Sequence, residues 1–286
     1  MFHRVYPERR AAWRGFVLAI SLSCGALLQP ARAADPDPQD SAIWQRVRQS
    51  LFQSRTIETD AGGVIALDTP VRAEDAATVP IAIHTHMLQS PTRYIEKVYL
   101  IIDGNPSPIA AVFRFSTDSG RADIETRVRI EQYTHMRAIA ETNDGKLYMA
   151  TRWIKASGGC SAPAGKDAVA ALASVGRMKM RVEEPVAIGK PVQAQLMISH
   201  PNSSGLAMDQ VTRLYQPPYF VRKITVSYAG KPVLEADVDF SISENPNFRF
   251  FFVPDGAGEL KAEVIDSKDL SYENRLVIKP GRLGAS

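Results

Sequence analysis

Residues 221–239 read VRKITVSYAGKPVLEADVD. Segments 221–228 and 232–239 largely alternate apolar and polar side chains, as strands with one buried face do. Ala229-Gly230 lies between them, and a small residue followed by glycine is typical of a tight turn. We therefore predict a β-hairpin in the second half of the chain.

Short segments of the same kind lie on both sides of this hairpin, roughly ten residues apart and separated by turn residues. The other predicted strands are 79–85, 94–102, 110–116, 124–130, 135–141, 147–154, 178–182, 192–199, 248–253, 259–266 and 272–278. Two blocks of about seven short strands predict an all-β fold of two immunoglobulin-like antiparallel β-sandwiches. Residues 41–52 have helical apolar spacing and Ser41 as a cap, which predicts one short N-terminal helix.

The N-terminus has the pattern of an export signal. Its basic residues are Arg4, Arg9, Arg10 and Arg14. An apolar stretch follows at 16–28, and Ala31-Arg32-Ala33 offers a cleavage site. We predict a signal peptide over 1–33 and a periplasmic mature protein. The Arg9-Arg10 pair leaves the general and twin-arginine routes both open, and Cys24 in the apolar stretch raises the alternative of a lipid anchor.

Composition and charge exclude several classes of protein. The chain has 286 residues, of which 45% are hydrophobic and 23% charged, a balance typical of a soluble globular protein. Its formal charge is +3, but without residues 1–33 it has 29 basic and 30 acidic residues. A basic patch for nucleic acid is therefore not expected, and neither is a membrane span in the mature chain.

Cys160 is the single cysteine that remains after the signal peptide. A free cysteine is often buried and inert, and an intermolecular disulfide is a further alternative. The neighbouring residues Ser157, Gly158, Gly159 and Ser161 are too small to bury a thiol. We therefore predict that 156–174 is a flexible Gly/Ala/Ser arm with an exposed Cys160, joining a domain at 34–155 to a domain at 175–280.

Other candidate sites have weaker patterns. His84 and His86 point to one face of a predicted strand, where Met87, His135 or Met136 could complete a metal site, but a bare H-x-H is more often a solvated strand face. His200-Pro201 is more typical of a turn or packing element than of a catalytic base. The sequence lacks the common hydrolase, protease and nucleotide-binding motifs. We therefore expect no metal, no cofactor and no independent enzyme activity.

The segment from Lys155 to Cys160 resembles the glycine-flanked cysteine arm of SoxY, the sulfur-carrying subunit of the Sox sulfur-oxidation system. The second block is similar to SoxZ. The residues that carry this resemblance are His200-Pro201, Pro218-Tyr219-Phe220-Val221, Gly230-Lys231-Pro232-Val233-Leu234 and the segment 243–250, SENPNFRF. The order of the two blocks resembles the fused SoxYZ-like carriers associated with quinoprotein dehydrogenases.

The resemblance implies a function for Cys160. In that family a cytochrome partner joins the cysteine oxidatively to thiosulfate, sulfate is hydrolysed off, and the remaining sulfane sulfur is oxidised while still attached. This chain departs from the family because Ser161 and Ala162 follow the cysteine where two glycines end the SoxY chain. The arm is therefore tethered at both ends, and it cannot extend as far as a free tail.

Two functions remain open from the sequence. The first is a covalent carrier of sulfur intermediates on Cys160, presented to periplasmic sulfur-oxidising enzymes or to a quinoprotein dehydrogenase and cytochromes. The second is a non-catalytic binding or assembly module, accessory to a periplasmic quinoprotein dehydrogenase, in which Cys160 is incidental. In both cases we expect the two sandwiches to contact each other within the chain.

Overall fold

The computed structural model describes residues 35–59, 63–163, 168–209 and 212–279. The predicted signal peptide over 1–33 lies outside the described residues, and so does part of the predicted arm, at 164–167. The chain divides into Met1–Asp35 and Pro36–Ser286, and the second unit is described below. Within the described residues, no helix has both the length and the apolar character needed to cross a membrane.

Each half of the chain is built from short strands. The first half contains α1 (Ala42–Phe52), β1 (Ile57–Glu58), β2 (Ile65–Asp68), β3 (Val79–Thr85), β4 (Ile95–Ile102), β5 (Ile109–Phe115), β6 (Ile124–Val128), β7 (Thr134–Thr142) and β8 (Leu147–Ile154). The second half contains α2 (Ala168–Ala173), β9 (Met178–Val182), β10 (Val192–Ile198), β11 (Val221–Tyr228), β12 (Lys231–Val238), β13 (Asn247–Phe252), β14 (Gly258–Asp266) and β15 (Ser271–Ile278). Short 3-10 helices lie at Pro38–Asp40 and Thr117–Ser119.

The strands form two sheets that face each other across one core. The larger sheet has the order β1-β8-β7-β4-β5-β12-β11-β14-β15, and the smaller has the order β2-β3-β6-β13-β10-β9. The β1–β8 pair is parallel, and the other neighbouring pairs of named strands are antiparallel. The predicted all-β class is therefore confirmed.

The two halves are joined by strand pairing. In the larger sheet β5 pairs with β12, from Leu234 opposite Phe115 to Val238 opposite Ala111. In the smaller sheet β13 meets β6 at Arg249 opposite Glu125. Both sheets thus continue from one half into the other, and buried side chains of both halves form a single hydrophobic cluster. The expected contact between the two halves is therefore made by strand pairing in both sheets and by this shared cluster.

The predicted N-terminal helix is present as α1. The hydroxyl of Ser41 accepts a hydrogen bond from the amide of Trp44 at 3.1 Å, as a helix N-cap does. Trp44 and Phe52 pack in a second cluster, against the face of the larger sheet that lies away from the main core. Helix α1 covers part of this face, including Ile139 of β7, and every residue of β7 is buried.

Helix α2 is a difference from the sequence prediction, which placed only flexible chain over 156–174. Its six residues, AVAALA, are mostly alanine, the residue with the highest helix propensity. The residues of the predicted arm nearer Cys160 are hydrogen-bonded to other segments of the protein.

Candidate functional site

The segment after β8, residues 156–163, is called the arm below. Lys155, the residue just before the arm, is fixed by two backbone hydrogen bonds. Its own amide donates to the Val71 carbonyl at 2.9 Å, and its carbonyl accepts from the Ala73 amide at 3.2 Å. The amide of Gly158 then donates to the Glu131 carbonyl at 2.8 Å, and that of Gly159 donates to the Ile130 carbonyl at 2.9 Å. The arm therefore lies along the backbone that follows β6.

Glu131 holds the arm with its side chain as well. Its Oε2 accepts hydrogen bonds from the amides of Cys160 at 2.9 Å and Ser161 at 3.1 Å. Its Oε1 accepts one from the Ser161 hydroxyl at 2.9 Å. Hydrogen bonds to an ionised acceptor are about twice as strong as those between neutral groups. One carboxylate thus binds two consecutive residues of the arm.

The second half of the chain completes the contact. The Ser204 hydroxyl donates a short hydrogen bond to the carbonyl of Cys160. The amide of Cys160 is held by the first half, through Glu131, and its carbonyl by the second. We call the surface formed by Ala76, Arg129, Ile130, Glu131 and Ser204 the seat of the arm.

Gly159 is required for this close approach. A Cβ atom at this position would collide with the Ala76 carbonyl oxygen and would lie 2.8 Å from the Ile130 amide nitrogen. Gly158 differs, because a Cβ there would meet open space, but its φ of +81° favours glycine. The two glycines therefore have distinct roles, a tight contact and a turn of the backbone.

The predicted exposure of Cys160, on a flexible arm tethered at both ends, is wrong for this structure. Cys160 is 1% exposed. The small residues Ser157, Gly158, Gly159 and Ser161 allow the arm to approach the seat closely, and the seat then covers the thiol. Small neighbours within the segment cannot indicate burial by residues that are distant in sequence.

Burial also changes the acidity of the thiol. Removal from water, and then the nearby charges of Glu131 and Asp239, raise the pKa of Cys160 from its ordinary 9.0 to about 12, although Arg129 opposes this. The thiolate is the form that attacks sulfur, and the raised pKa keeps the seated cysteine in its neutral thiol form at neutral pH.

Arg129 is a seat residue that the sequence analysis missed. It is 5% exposed, and its Nη atoms donate long hydrogen bonds of 3.3 Å to the Gly159 carbonyl and 3.4 Å to the Asn202 carbonyl. Its Nε is buried without a hydrogen-bond partner. Burial lowers the pKa of Arg129, and the nearby acidic groups oppose that change. An arginine keeps its charge in such surroundings, so the seat contains a buried cation.

Asn105 holds the seat in place. Its Nδ2 donates to the Arg129 carbonyl at 2.8 Å and to the Ser241 hydroxyl at 3.0 Å. Its Oδ1 accepts from the Glu131 amide at 3.0 Å. Asn105 lies between the predicted strands 94–102 and 110–116, and nothing in that stretch of sequence indicates a contact with residues 129–131.

The histidines of the candidate metal site have other contacts. His84 has Nε2 3.4 Å from a carboxylate oxygen of Asp68 and Nδ1 3.7 Å from one of Asp123. His135 is buried against the ring of Trp153. In the part of the chain that the structure describes, no group of three or more His, Cys, Asp or Glu residues is arranged to hold a metal ion.

His200 is buried beside the ring of Tyr219, with ring centroids 4.5 Å apart. Its Nδ1 accepts a hydrogen bond from the Asn202 amide at 3.1 Å, and its Nε2 lies 3.7 Å from a carboxylate oxygen of Asp266. Burial lowers the pKa of His200, so the ring is neutral at neutral pH. These contacts place it in the structure that supports the 202–204 loop.

Comparisons with solved structures find likeness over part of the chain. The sulfur carrier protein SoxY from Chlorobium limicola f thiosulfatophilum is 22% identical, with a TM-score of 0.32, and the match covers 40% of this chain and 90% of that one. A superoxide reductase (neelaredoxin) from Ignicoccus hospitalis is 16% identical, with a TM-score of 0.31, and the match covers 35% of this chain and 94% of that one. At these scores neither structure carries a functional argument. The search of curated proteins gave no match.

Family models give the assignment. The model of sulfur oxidation protein SoxY matches residues 48–160, and its last matched residue is Cys160. The model of sulphur oxidation protein SoxZ matches residues 180–277. The two matches follow one another and together account for most of the chain. The chain therefore belongs to the SoxY and SoxZ families and is a fused SoxYZ-like protein.

Proposed function

We propose that this protein is a periplasmic carrier that holds sulfur intermediates as covalent adducts of Cys160 and presents them to partner redox enzymes. The observation that carries the proposal is the position of Cys160, a free cysteine at the end of the SoxY match, on a segment held to the protein largely by hydrogen bonds. The proposed periplasmic location rests on the signal peptide that the sequence predicts over residues 1–33.

The loading step has a simple balance. The thiol of Cys160 and thiosulfate form Cys–S–S–SO₃⁻ and release one proton and two electrons. A sulfur–sulfur bond forms between the cysteine Sγ and the sulfane sulfur of thiosulfate, and the electrons pass to a cytochrome partner. A sulfur-oxidising enzyme or a quinoprotein dehydrogenase then acts on the adduct, so the protein itself supplies the covalent attachment and the partner supplies catalysis.

The carrier must alternate between two positions of the arm. In the seated position the thiol is covered, and its raised pKa lowers the thiolate fraction about a thousandfold at neutral pH relative to its ordinary value of 9.0. In a released position the thiol enters water and regains ordinary acidity. Release breaks the hydrogen bonds to Glu131 and Ser204, at a cost on the order of a few kcal/mol. The unloaded thiol is therefore protected until a partner binds the released arm.

The burial of Cys160 also favours a second candidate, the accessory binding module in which this cysteine is an inert packing residue. The two functions differ in what happens to the native thiol. A carrier must release its arm during the lifetime of the folded protein, whereas an inert cysteine reacts only when the protein unfolds.

Intact mass spectrometry separates these functions. Native protein is incubated with tetrathionate, whose sulfane sulfur is attacked by the thiolate to give Cys–S–S–SO₃⁻ and free thiosulfate. We expect one adduct on native protein, formed more slowly than on urea-unfolded protein, and none on Cys160→Ser. If native protein gains no adduct under conditions in which unfolded protein gains one, the carrier proposal is wrong and the accessory module replaces it.

A further inference from the structure

Arg129 is a buried cation without a matching anion in direct contact. Arg137 is also buried and pairs with Asp103 at 2.7 Å. Among the described residues no carboxylate forms an ion pair with Arg129, which has only two long hydrogen bonds to carbonyl groups and an unpartnered Nε. A buried charge without a partner is unfavourable, so a site that retains one is suited to receive an opposite charge.

Three carboxylates of this region accept hydrogen bonds from groups other than Arg129. Glu131 binds the arm with both oxygens. Asp75 accepts hydrogen bonds from the Ala77 amide and the Thr78 hydroxyl. Asp239 accepts from the Ser241 amide and the Ser107 hydroxyl. Asp75 and Glu244 attract the guanidinium through space, but neither of them forms an ion pair or a hydrogen bond with it.

The resting thiol does not supply the missing charge either. Seated Cys160 is neutral at neutral pH, because burial raises the pKa of its thiol. Attachment of a sulfur oxyanion changes this, because Cys–S–S–SO₃⁻ carries a full negative charge at the end of the new bond. The guanidinium already contacts the carbonyl of Gly159, the residue next to the carrier cysteine.

We propose that Arg129 binds the anionic end of the cargo on Cys160, so that the seat accepts a loaded arm with a negatively charged terminus in preference to a neutral one. This inference rests on the proposed carrier function and adds the residue that recognises the cargo. The loaded arm shifts to make room for the sulfonate, the two long bonds of Arg129 break, and its N–H groups donate charge-assisted bonds to sulfonate oxygens. A planar guanidinium can donate two parallel bonds to such a group.

A pair of probes that differ in charge tests this assignment. Cys160 is converted to its mixed disulfide with 2-mercaptoethanesulfonate, which is anionic, or with 2-mercaptoethanol, which is neutral and similar in length. In each case Cys–SH and the symmetrical disulfide give the mixed disulfide and one released thiol. The equilibrium ratio of the two adducts is read from intact mass in a mixture of both probes, first on native protein and then on protein unfolded in urea.

We expect native wild-type protein to favour the anionic probe by about tenfold or more over the unfolded chain, as a charge-assisted contact does. Arg129→Gln should reduce this preference to the unfolded value. Arg129→Met, which fills the same space without a charge, serves if the glutamine variant does not fold. Arg152→Gln is the matched control, because Arg152 is exposed and its guanidinium hydrogen-bonds to the neighbouring Thr151 carbonyl.

The ratio is informative because a change in arm release affects both probes equally. Equal ratios on native and unfolded wild-type protein would overturn the role of Arg129, and so would an unchanged preference in a folded Arg129 variant. In either case the carrier function still stands, since both adducts form. Failure of both probes to react with the native protein is a different result, and it would overturn the carrier function together with this inference.

Discussion

The backbone amide of Cys160 donates a 2.9 Å hydrogen bond to the carboxylate of Glu131, which lies 29 residues earlier in the chain. The contact is made to the backbone, so Glu131 fixes the position of the arm, and the seat then determines the environment of the thiol. This relationship leads to the first of four predictions.

Glu131→Gln should release the arm. The amide keeps the size of the side chain but removes its charge, so the hydrogen bonds from Cys160 and Ser161 lose their charge assistance. We expect Cys160 to react on the order of tenfold or more faster with a thiol reagent at pH 7, because at least one charge-assisted bond is lost. Stopped-flow absorbance with an aromatic disulfide measures the rate.

Glu125→Gln is the control for this variant. Glu125 lies on β6, near the seat in sequence, but its carboxylate pairs with Arg249 at 2.9 Å. Its reaction rate should match that of the wild type. A Glu131→Gln protein that reacts no faster than this control would show that the carboxylate does not hold the arm.

Gly159→Ala and Gly158→Ala form a second matched test. The first adds a methyl group that collides with the Ala76 carbonyl oxygen, so the arm cannot seat and the thiol should react at nearly the rate of unfolded protein. The second meets open space and only strains a positive φ, at a cost of about 1 kcal/mol. We expect a much smaller gain in rate for Gly158→Ala. Equal rates for the two variants would contradict the close contact at Gly159.

The buried thiol should make stability depend on pH in the alkaline range. The pKa of folded Cys160, about 12, lies above its ordinary 9.0, so between these values the folded protein binds more protons than the unfolded chain. The stabilisation is complete below pH 9 and is lost as the pH rises toward 12. Between pH 8 and pH 10, we expect the wild type to lose about 1 kcal/mol more than Cys160→Ser in the free energy of unfolding. Urea titrations at both pH values measure the difference, and parallel losses in the two proteins would mean that the thiol is not buried in solution.

The two halves should stay together after the chain is cut. A protease site inserted between Pro163 and Ala168 allows a single cut, and the paired strands β5–β12 and β6–β13 should keep the fragments associated on a sizing column. Phe113→Ala should weaken this association by about 3 kcal/mol or more, because Phe113 of β5 packs against Phe248 of β13.

Phe52→Ala is the control for the association test. Phe52 is equally buried, but it packs against Tyr99 within the first half. It should lower the stability of that half and leave fragment association less affected than Phe113→Ala does. Separation of the wild-type fragments in native buffer would contradict the continuous sheets.

Alternation of side chains made most strands predictable. In β10, for example, buried and partly buried residues alternate along all seven positions. β1 and β2 were missed because strands of two and four residues are too short to show a period. The sequence predicts β7 as a strand but does not predict its complete burial. Part of its outer face is covered by α1, which lies about 90 residues earlier in the chain.

The arm shows where sequence reasoning stops. Cys160 was found from its isolation and its small neighbours, and those neighbours predicted exposure. The residues that bury it belong to distant segments of the chain. Glu131 is 29 positions away, and Ser204 is 44 positions away. Arg129 has no sequence pattern at all, because its significance lies in a buried nitrogen without a partner.

The seat takes one residue from each half of the chain for its two hydrogen bonds to Cys160. In a pair of separate subunits, such a seat would exist only in the associated fraction, and dilution would dismantle it by mass action. Here both halves belong to one polypeptide, so the seat that buries the thiol forms at any protein concentration. A single molecule in a dilute compartment therefore contains the complete seat.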